Sequence, residues 1–120
     1  MKRFLSGLLA GLCVSGAWAE QTDLELAAQQ GVAYFFTVSK PWIHDRSYLE
    51  KTARNFCHDK PICRTHFWER GTAKPRGYPM SDKEVATEVA SYEQNRNTKL
   101  SRVHWSCKAF KDLPKAECFK

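Results

Sequence analysis

Four cysteines in two close pairs constrain the fold of this chain more than any other feature. Cys57 lies near Cys63, and Cys107 lies near Cys118. An even number of cysteines in an exported protein indicates disulfides, because such bonds persist in oxidising compartments. Three pairings are possible, and we expect the two local ones, since each closes a short loop. Each short bridge should stabilise so small a domain by roughly 2 to 3 kcal/mol.

The prediction of export rests on the first nineteen residues. Lys2 and Arg3 form a positive start, an apolar stretch runs from Phe4 to Val14, and Ala17-Trp18-Ala19 has the small-x-small pattern of a cleavage site. We therefore predict cleavage of residues 1–19 and a periplasmic or secreted location. The apolar stretch is shorter than the roughly 20 residues of a permanent anchor, so we expect no integral membrane segment after cleavage. The fifth cysteine, Cys13, would leave with the signal.

Cleavage would leave residues 20–120, which suffice for one small exported domain. The formal charge would fall from +6 to +4, because Lys2 and Arg3 belong to the signal. A modest basic excess favours acidic partners, although it also serves ordinary solubility. The positive charge is concentrated in residues 40–80 and 96–120.

Three segments have the composition or alternation of β-strands. Val32 to Val38 is rich in β-branched and aromatic residues, whereas Ile62 to Trp68 and Ser101 to Cys107 alternate in polarity. The alternation of the second segment places Arg64 and His66 on one face. We therefore expect at least one face of the sheet to contact water.

Capping signals predict the helices. Asp45 can cap a helix that ends near Cys57, and Ser81-Asp82-Lys83-Glu84 is a capping box followed by about three turns of apolar stripe. A further capping-box pattern, Thr22 to Glu25, indicates a short helix that ends at Gly31, with a frayed terminus as the alternative.

The two main helices and three strands follow one another in the order β-α-β-α-β. This order favours a small α/β domain with a three-stranded sheet, stabilised by disulfides. An α+β domain with antiparallel strands is the alternative.

Histidines near the first cysteine pair raise two other possibilities. Cys57-His58 and Cys63 with His66 have the residue types of a thiol nucleophile or a zinc site. Disulfides would consume these thiols, and the spacing matches no familiar zinc pattern. The motifs of nucleophile elbows and phosphate-binding loops are absent from the sequence. We therefore predict no catalytic residues, no metal and no cofactor, and we favour a non-enzyme while keeping an enzyme as an alternative.

The connection from Glu69 to Met80 is long for so small a domain, and it carries three cations, two prolines, two glycines and a tyrosine. If the sheet is parallel, this connection and residues 39–44 leave the same sheet edge. Guanidinium groups there would pair with oxyanions, and aromatic rings would offer a stacking surface. We predict a ligand-binding site for anions formed by Lys40, Trp42, His44, Arg46, Arg70, Lys74, Arg76 and Tyr78.

The leading functional hypothesis is therefore a non-catalytic binding module. Its partner would be an acidic protein, an acidic glycan or a phosphate-bearing ligand, with nucleic acid a weaker candidate. One alternative is a protein-interaction component of the cell envelope, such as an immunity-type inhibitor of a secreted toxin. The other is a small hydrolase or metal-dependent enzyme that uses His44, His66 or His104.

Overall fold

Five strands form one mixed sheet in the computed structural model, which describes residues 23–119. Their order in the sheet is their order in the sequence. Within the described residues, β2 and β3 are parallel, and the other three neighbouring pairs are antiparallel. The strands are β1 (Leu24–Gln30), β2 (Ala33–Val38), β3 (Ile62–Glu69), β4 (Ala90–Asn95) and β5 (Leu100–Trp105).

Two helices, α1 (Lys40–Ile43) and α2 (Arg46–Cys57), connect the parallel strands β2 and β3. A third, α3 (Asp82–Thr87), precedes β4, and a short 3₁₀ turn covers Lys115–Glu117. No helix in residues 23–119 has the length and apolar character needed to cross a membrane.

The prediction of a small mixed α/β domain with disulfides is confirmed, but the number of strands is wrong. The predicted helix before Gly31 is strand β1, which pairs antiparallel with β2 from Leu24 to Gln30. Gly31 has a φ of 59°, which suits the tight turn of this hairpin. Pairing with a neighbouring strand outweighs a local capping pattern, which begins at Thr22, outside the described residues.

The helix predicted after Ser81 begins as expected but is much shorter. Both hydrogen bonds of the capping box are present: the Glu84 amide donates to the Ser81 hydroxyl at 3.1 Å, and the Ser81 amide donates to the Glu84 carboxylate at 2.8 Å. The helix ends at Thr87, and residues from Ala90 onward pair with β3 and β5. Ala90 and Tyr92 fit a helical stripe and an alternating strand equally well, so sheet pairing decides between them.

Helix α2 packs on one face of the sheet, here called the helix face. Leu49 and Ala53 of α2 are buried there with Phe36 and Phe67 of the sheet. The predicted cap of α2 is confirmed, since the Tyr48 amide donates to the Asp45 carboxylate at 3.0 Å.

Disulfides join Cys57 to Cys63 and Cys107 to Cys118, as the sequence predicted. The first joins the end of α2 to the start of β3, and the second ties the C-terminal segment to the residues after β5. Two bridges are compatible with a periplasmic or secreted location. The predicted signal, residues 1–19, and Cys13 lie outside the described residues, so export stays a prediction.

The opposite face of the sheet, here called the loop face, has two different halves. Over β2 and β3, a small core of Ala33, Phe35 and Trp68 is covered by residues 69–80, here called the basic loop. Ala73 and Met80 supply the apolar contacts from the loop side. Over β4 and β5 the face carries charged, partly exposed side chains.

Candidate functional site

All eight residues of the predicted anion site are exposed. Because β2 and β3 are parallel, the segments that carry them leave the same edge of the sheet. The contacts nevertheless place seven of them in two groups on opposite faces of the sheet, and Lys40 lies at the start of α1. One group is Trp42, His44 and Arg46, and the other is Arg70, Lys74, Arg76 and Tyr78.

The first group contacts aromatic residues of the helix face. The ring centroids of Trp42 and Tyr48 are 5.0 Å apart, and His44 packs edge-on against the ring of Phe110 at 5.9 Å. The guanidinium of Arg46 lies 5.9 Å from the ring centroid of a buried tryptophan at the end of β5. These side chains form an aromatic and basic patch beside α2, here called the helix-face patch.

The second group lines two adjoining grooves on the basic loop. Lys74, Arg76 and Tyr78 line one groove of about 670 Å³, and Arg70 and Lys74 line the next, of about 590 Å³. Lys83, which the sequence analysis did not include, also lines the second groove and raises the number of cations in the two grooves together to four. The four predicted residues of the basic loop therefore lie together.

Few acidic groups oppose these four cations. Glu25 and Glu84 line the grooves. The carboxylate of Glu84 is held by the capping box of α3, and that of Glu25 lies 3.9 Å from the Arg70 guanidinium. The grooves thus keep an excess of positive charge, which attracts anions.

The basic loop is fastened to the sheet along its length. The Arg70 amide donates to the Val38 carbonyl at 2.9 Å, and the Tyr78 amide donates to the Gln30 side chain at 2.6 Å. Between these points Pro75 is fully buried. The cations of the loop are therefore presented from a fixed backbone, which lowers the entropy cost of binding.

Three side chains from distant parts of the sequence form a hydrogen-bonded relay on the loop face. The His66 Nδ1 atom lies 2.5 Å from a Glu88 carboxylate oxygen, and the His66 Nε2 atom lies 2.6 Å from the Tyr78 hydroxyl. A neutral imidazole satisfies both contacts when Nδ1–H donates to Glu88 and the Tyr78 hydroxyl donates to Nε2. The His66 ring also stacks on Phe35, with centroids 5.0 Å apart, which fixes its orientation.

Exposure increases along this relay from Glu88 to Tyr78. The Glu88 and His66 side chains are 7% and 12% exposed, whereas Tyr78 is 40% exposed. Burial raises the pKa of the Glu88 carboxyl above its usual range, and the hydrogen bond to His66 opposes that rise. Burial also raises the pKa of the Tyr78 phenol, against the opposing effect of Arg64. The phenol therefore keeps its proton at neutral pH and can donate it.

A small recess of about 160 Å³ lies beside the Tyr78 hydroxyl, above β3, β4 and β5. Arg64, Ser91 and His104 are among the side chains that line it. Glu93 lies 3.2 Å from the Arg64 guanidinium and 3.7 Å from that of Arg102. Two guanidinium groups thus share one carboxylate, and of these two only Arg64 lines the recess.

Sequence reasoning named His66 and Tyr78 separately and missed Glu88. Glu88 follows α3 in a segment that was predicted to be continuous helix, so nothing in the sequence distinguished it from a surface glutamate. Strand pairing turns the chain at this point and buries the carboxylate against β3. His44 and His104, the other histidines considered for catalysis, have different surroundings: His44 contacts Phe110, and His104 lines the recess.

Residues 23–119 contain no group of three or more His, Cys, Asp or Glu side chains arranged to hold a metal ion. Cys57 and Cys63 are joined in a disulfide, so their thiols are not available as a nucleophile or as zinc ligands.

Comparison with known proteins adds no functional assignment to this geometry. No family model matches the chain, and neither a curated protein nor a solved structure matches it.

Proposed function

We propose that this protein binds an anionic partner on the basic loop, and that the partner bears phosphate groups. The observation that carries the proposal is the shared groove surface of Arg70, Lys74, Arg76 and Lys83. Guanidinium groups form two parallel hydrogen bonds with phosphate as they do with carboxylate, and a chain of phosphates presents several such groups in succession, which suits four neighbouring cations. Tyr78, at the end of the same groove, supplies an exposed ring beside these cations.

The fixed backbone of the loop supports this proposal. Exposed cations on a mobile segment would lose conformational freedom on binding, whereas these are attached to a backbone anchored at Pro75 and Tyr78. Four exposed cations against two carboxylates favour a ligand with several negative charges. Such binding weakens steeply with salt, because bound counterions are released and exposed charges are screened.

Inorganic polyphosphate is the probe that tests the proposal. We expect the purified protein to bind it, with an affinity that falls at least tenfold between about 50 and 300 mM salt. The double variant R70A/R76A should bind about tenfold or more weakly at low salt. The matched control K51A/K108A also removes two exposed cations, but from α2 and the segment after β5. It should bind within about twofold of the unmodified protein.

Equal losses in the two double variants would show that net charge, and not the basic loop, governs binding. Binding that does not respond to salt, or no binding, would contradict the proposal. Tighter binding to an acidic glycan or an acidic protein than to polyphosphate would reject phosphate as the preferred group, while keeping the loop as the binding surface.

A further inference from the structure

The relay of Glu88, His66 and Tyr78 has the three parts of an activated nucleophile. A hydroxyl lies within hydrogen-bond distance of an imidazole nitrogen, and a carboxylate on the opposite nitrogen orients the ring. The same arrangement activates hydroxyl nucleophiles on unrelated folds, where it is recognised by geometry and not by sequence position. In this relay the hydroxyl belongs to the one member that is substantially exposed.

We propose that Tyr78 is the nucleophile of a phosphodiester-cleaving site, with His66 as its general base and Glu88 as the residue that positions His66. This inference rests on the proposed function, because it takes the phosphate-bearing partner to be a substrate. It departs from the expectation that the chain has no catalytic residues. That expectation came from the absence of local motifs, and the relay joins residues from β3, the basic loop and the segment between α3 and β4.

The phenol need not be ionised beforehand for this role. A general base removes the proton as the hydroxyl attacks, as it does for serine hydroxyls, which are weaker acids than phenols. The His66 Nε2 atom is already 2.6 Å from the Tyr78 hydroxyl, within the range that proton transfer requires. The imidazolium formed in the step would be stabilised by the buried Glu88 carboxylate at 2.5 Å.

The surroundings of Tyr78 favour a phosphodiester as the substrate class. Tyr78 lines both the groove of Lys74 and Arg76 and the recess of Arg64 and His104. An anionic chain in the groove would therefore pass the hydroxyl, with one of its phosphates next to the recess. Guanidinium groups stabilise the charge of a phosphoryl group during transfer, and Arg64, which is 52% exposed and lies 3.2 Å from Glu93, lines the recess.

The first step forms a bond between the Tyr78 oxygen and phosphorus as the bond to the leaving oxygen breaks. The phenol proton passes to His66 Nε2, and the leaving alkoxide takes a proton from water. In the second step the hydroxide left by that water attacks phosphorus. The bond between Tyr78 and phosphorus breaks, and the His66 imidazolium returns its proton to the phenolate. Together the two steps convert a diester and water into a monoester and an alcohol.

The test uses bis(p-nitrophenyl) phosphate as substrate and release of p-nitrophenol as the signal. We expect repeated turnover by the purified protein, and a loss of about 100-fold or more in Y78F, since general-base and nucleophilic catalysis are removed together. The control Y48F removes a phenol hydroxyl that belongs to the helix-face patch, and its rate should be unchanged. Acid-quenched protein should carry the phosphoryl adduct on the peptide that contains Tyr78.

The role of Glu88 is tested by the pH dependence of the rate in E88Q. An amide orients the ring but does not stabilise an imidazolium, so the acid limb of the profile should move to lower pH. The other groups that face this relay are Arg64, Glu93, Arg102 and His104 from the strands, Glu84 from α3 and Arg76 from the basic loop. They are unchanged in E88Q. If E88Q lowers the rate but leaves the acid limb of the pH profile at the same pH, Glu88 has only a structural role.

The outcomes separate this inference from the proposed function. If the protein binds polyphosphate but releases no p-nitrophenol, or if Y78F hydrolyses the diester as fast as the unmodified protein, the catalytic inference is overturned and the binding proposal stands. If p-nitrophenol is released in a Tyr78-dependent way but polyphosphate does not bind, the basic loop is not a polyanion site. Circular dichroism of Y78F and E88Q shows whether a loss of rate is a loss of fold.

Discussion

The carboxylate of Glu88 and the imidazole of His66 are 2.5 Å apart on the loop face, where most other charged side chains remain partly exposed. Both side chains are nearly buried, at 7% and 12% exposure. A buried carboxylate costs free energy when it is charged, unless hydrogen bonds replace its water. The contact to His66 supplies part of that replacement and opposes the rise that burial causes in the pKa of Glu88.

Replacing Glu88 with glutamine should make stability depend less on pH. Burial raises the pKa of Glu88 in the folded chain. At pH values between the ordinary pKa of a glutamate and this raised pKa, the folded chain therefore binds more protons than the unfolded chain. The free energy of unfolding of the unmodified protein should therefore fall as pH rises through that window. In E88Q this loss should be absent, which urea unfolding at a series of pH values would measure. An identical pH dependence in both proteins would show that Glu88 is not perturbed by burial.

Gly77 allows the close approach that fastens the basic loop to β1. Its φ of 132° is in the region that favours glycine, and a Cβ there would collide with the side-chain oxygen of Gln30. We expect G77A to lower the free energy of unfolding by about 2 kcal/mol, because backbone strain adds to the loss of the Tyr78–Gln30 hydrogen bond when the Gln30 side chain moves away. Gly71 is the matched control, since its φ is also positive but a Cβ there meets no atom. G71A should cost about 1 kcal/mol, and equal losses in chemical denaturation would exclude the collision.

Thr65 should be the easiest site at which to stabilise this protein. Its side chain is fully buried, and its hydroxyl has no hydrogen-bond partner among the described residues. Valine has nearly the same shape and also favours strands, so T65V removes an unpaired polar group without opening a cavity. We expect the free energy of unfolding to rise by about 1 kcal/mol, as measured by urea unfolding. A loss of stability would mean that the hydroxyl has a partner, such as a buried water.

Local signals predicted the parts of this fold that local interactions determine. The caps at Asp45 and Ser81 and the pairing of Cys57 with Cys63 each depend on residues close in the sequence. Strand β1 and the early end of α3 were missed, because they depend on pairing with β2 and β3. A hydrogen-bonded strand partner outweighs a weak helix preference over six or seven residues.

The same distinction applies to the candidate site. Composition alone selected the basic loop, and its four predicted residues do lie together on one surface. The residues from α1 and the start of α2 were predicted on the same surface, since parallel strands bring both segments to one edge. The pattern of residues in the sequence does not show that residues 40–46 and the basic loop turn to opposite faces of the sheet at this edge. Glu88 was missed because its partner His66 is 22 residues away, on a strand that the sequence analysis did not pair with it.

A titration of ¹⁵N-labelled protein with inorganic polyphosphate, followed by amide chemical shifts, tests most directly whether the basic loop is the anion-binding surface. The largest shifts should fall in residues 69–83, and they should disappear when the salt concentration is raised. The amides of residues 40–46, beside the helix-face patch, should move little. Shifts concentrated in residues 40–46, or spread evenly over every exposed cation, would contradict the assignment of binding to the basic loop.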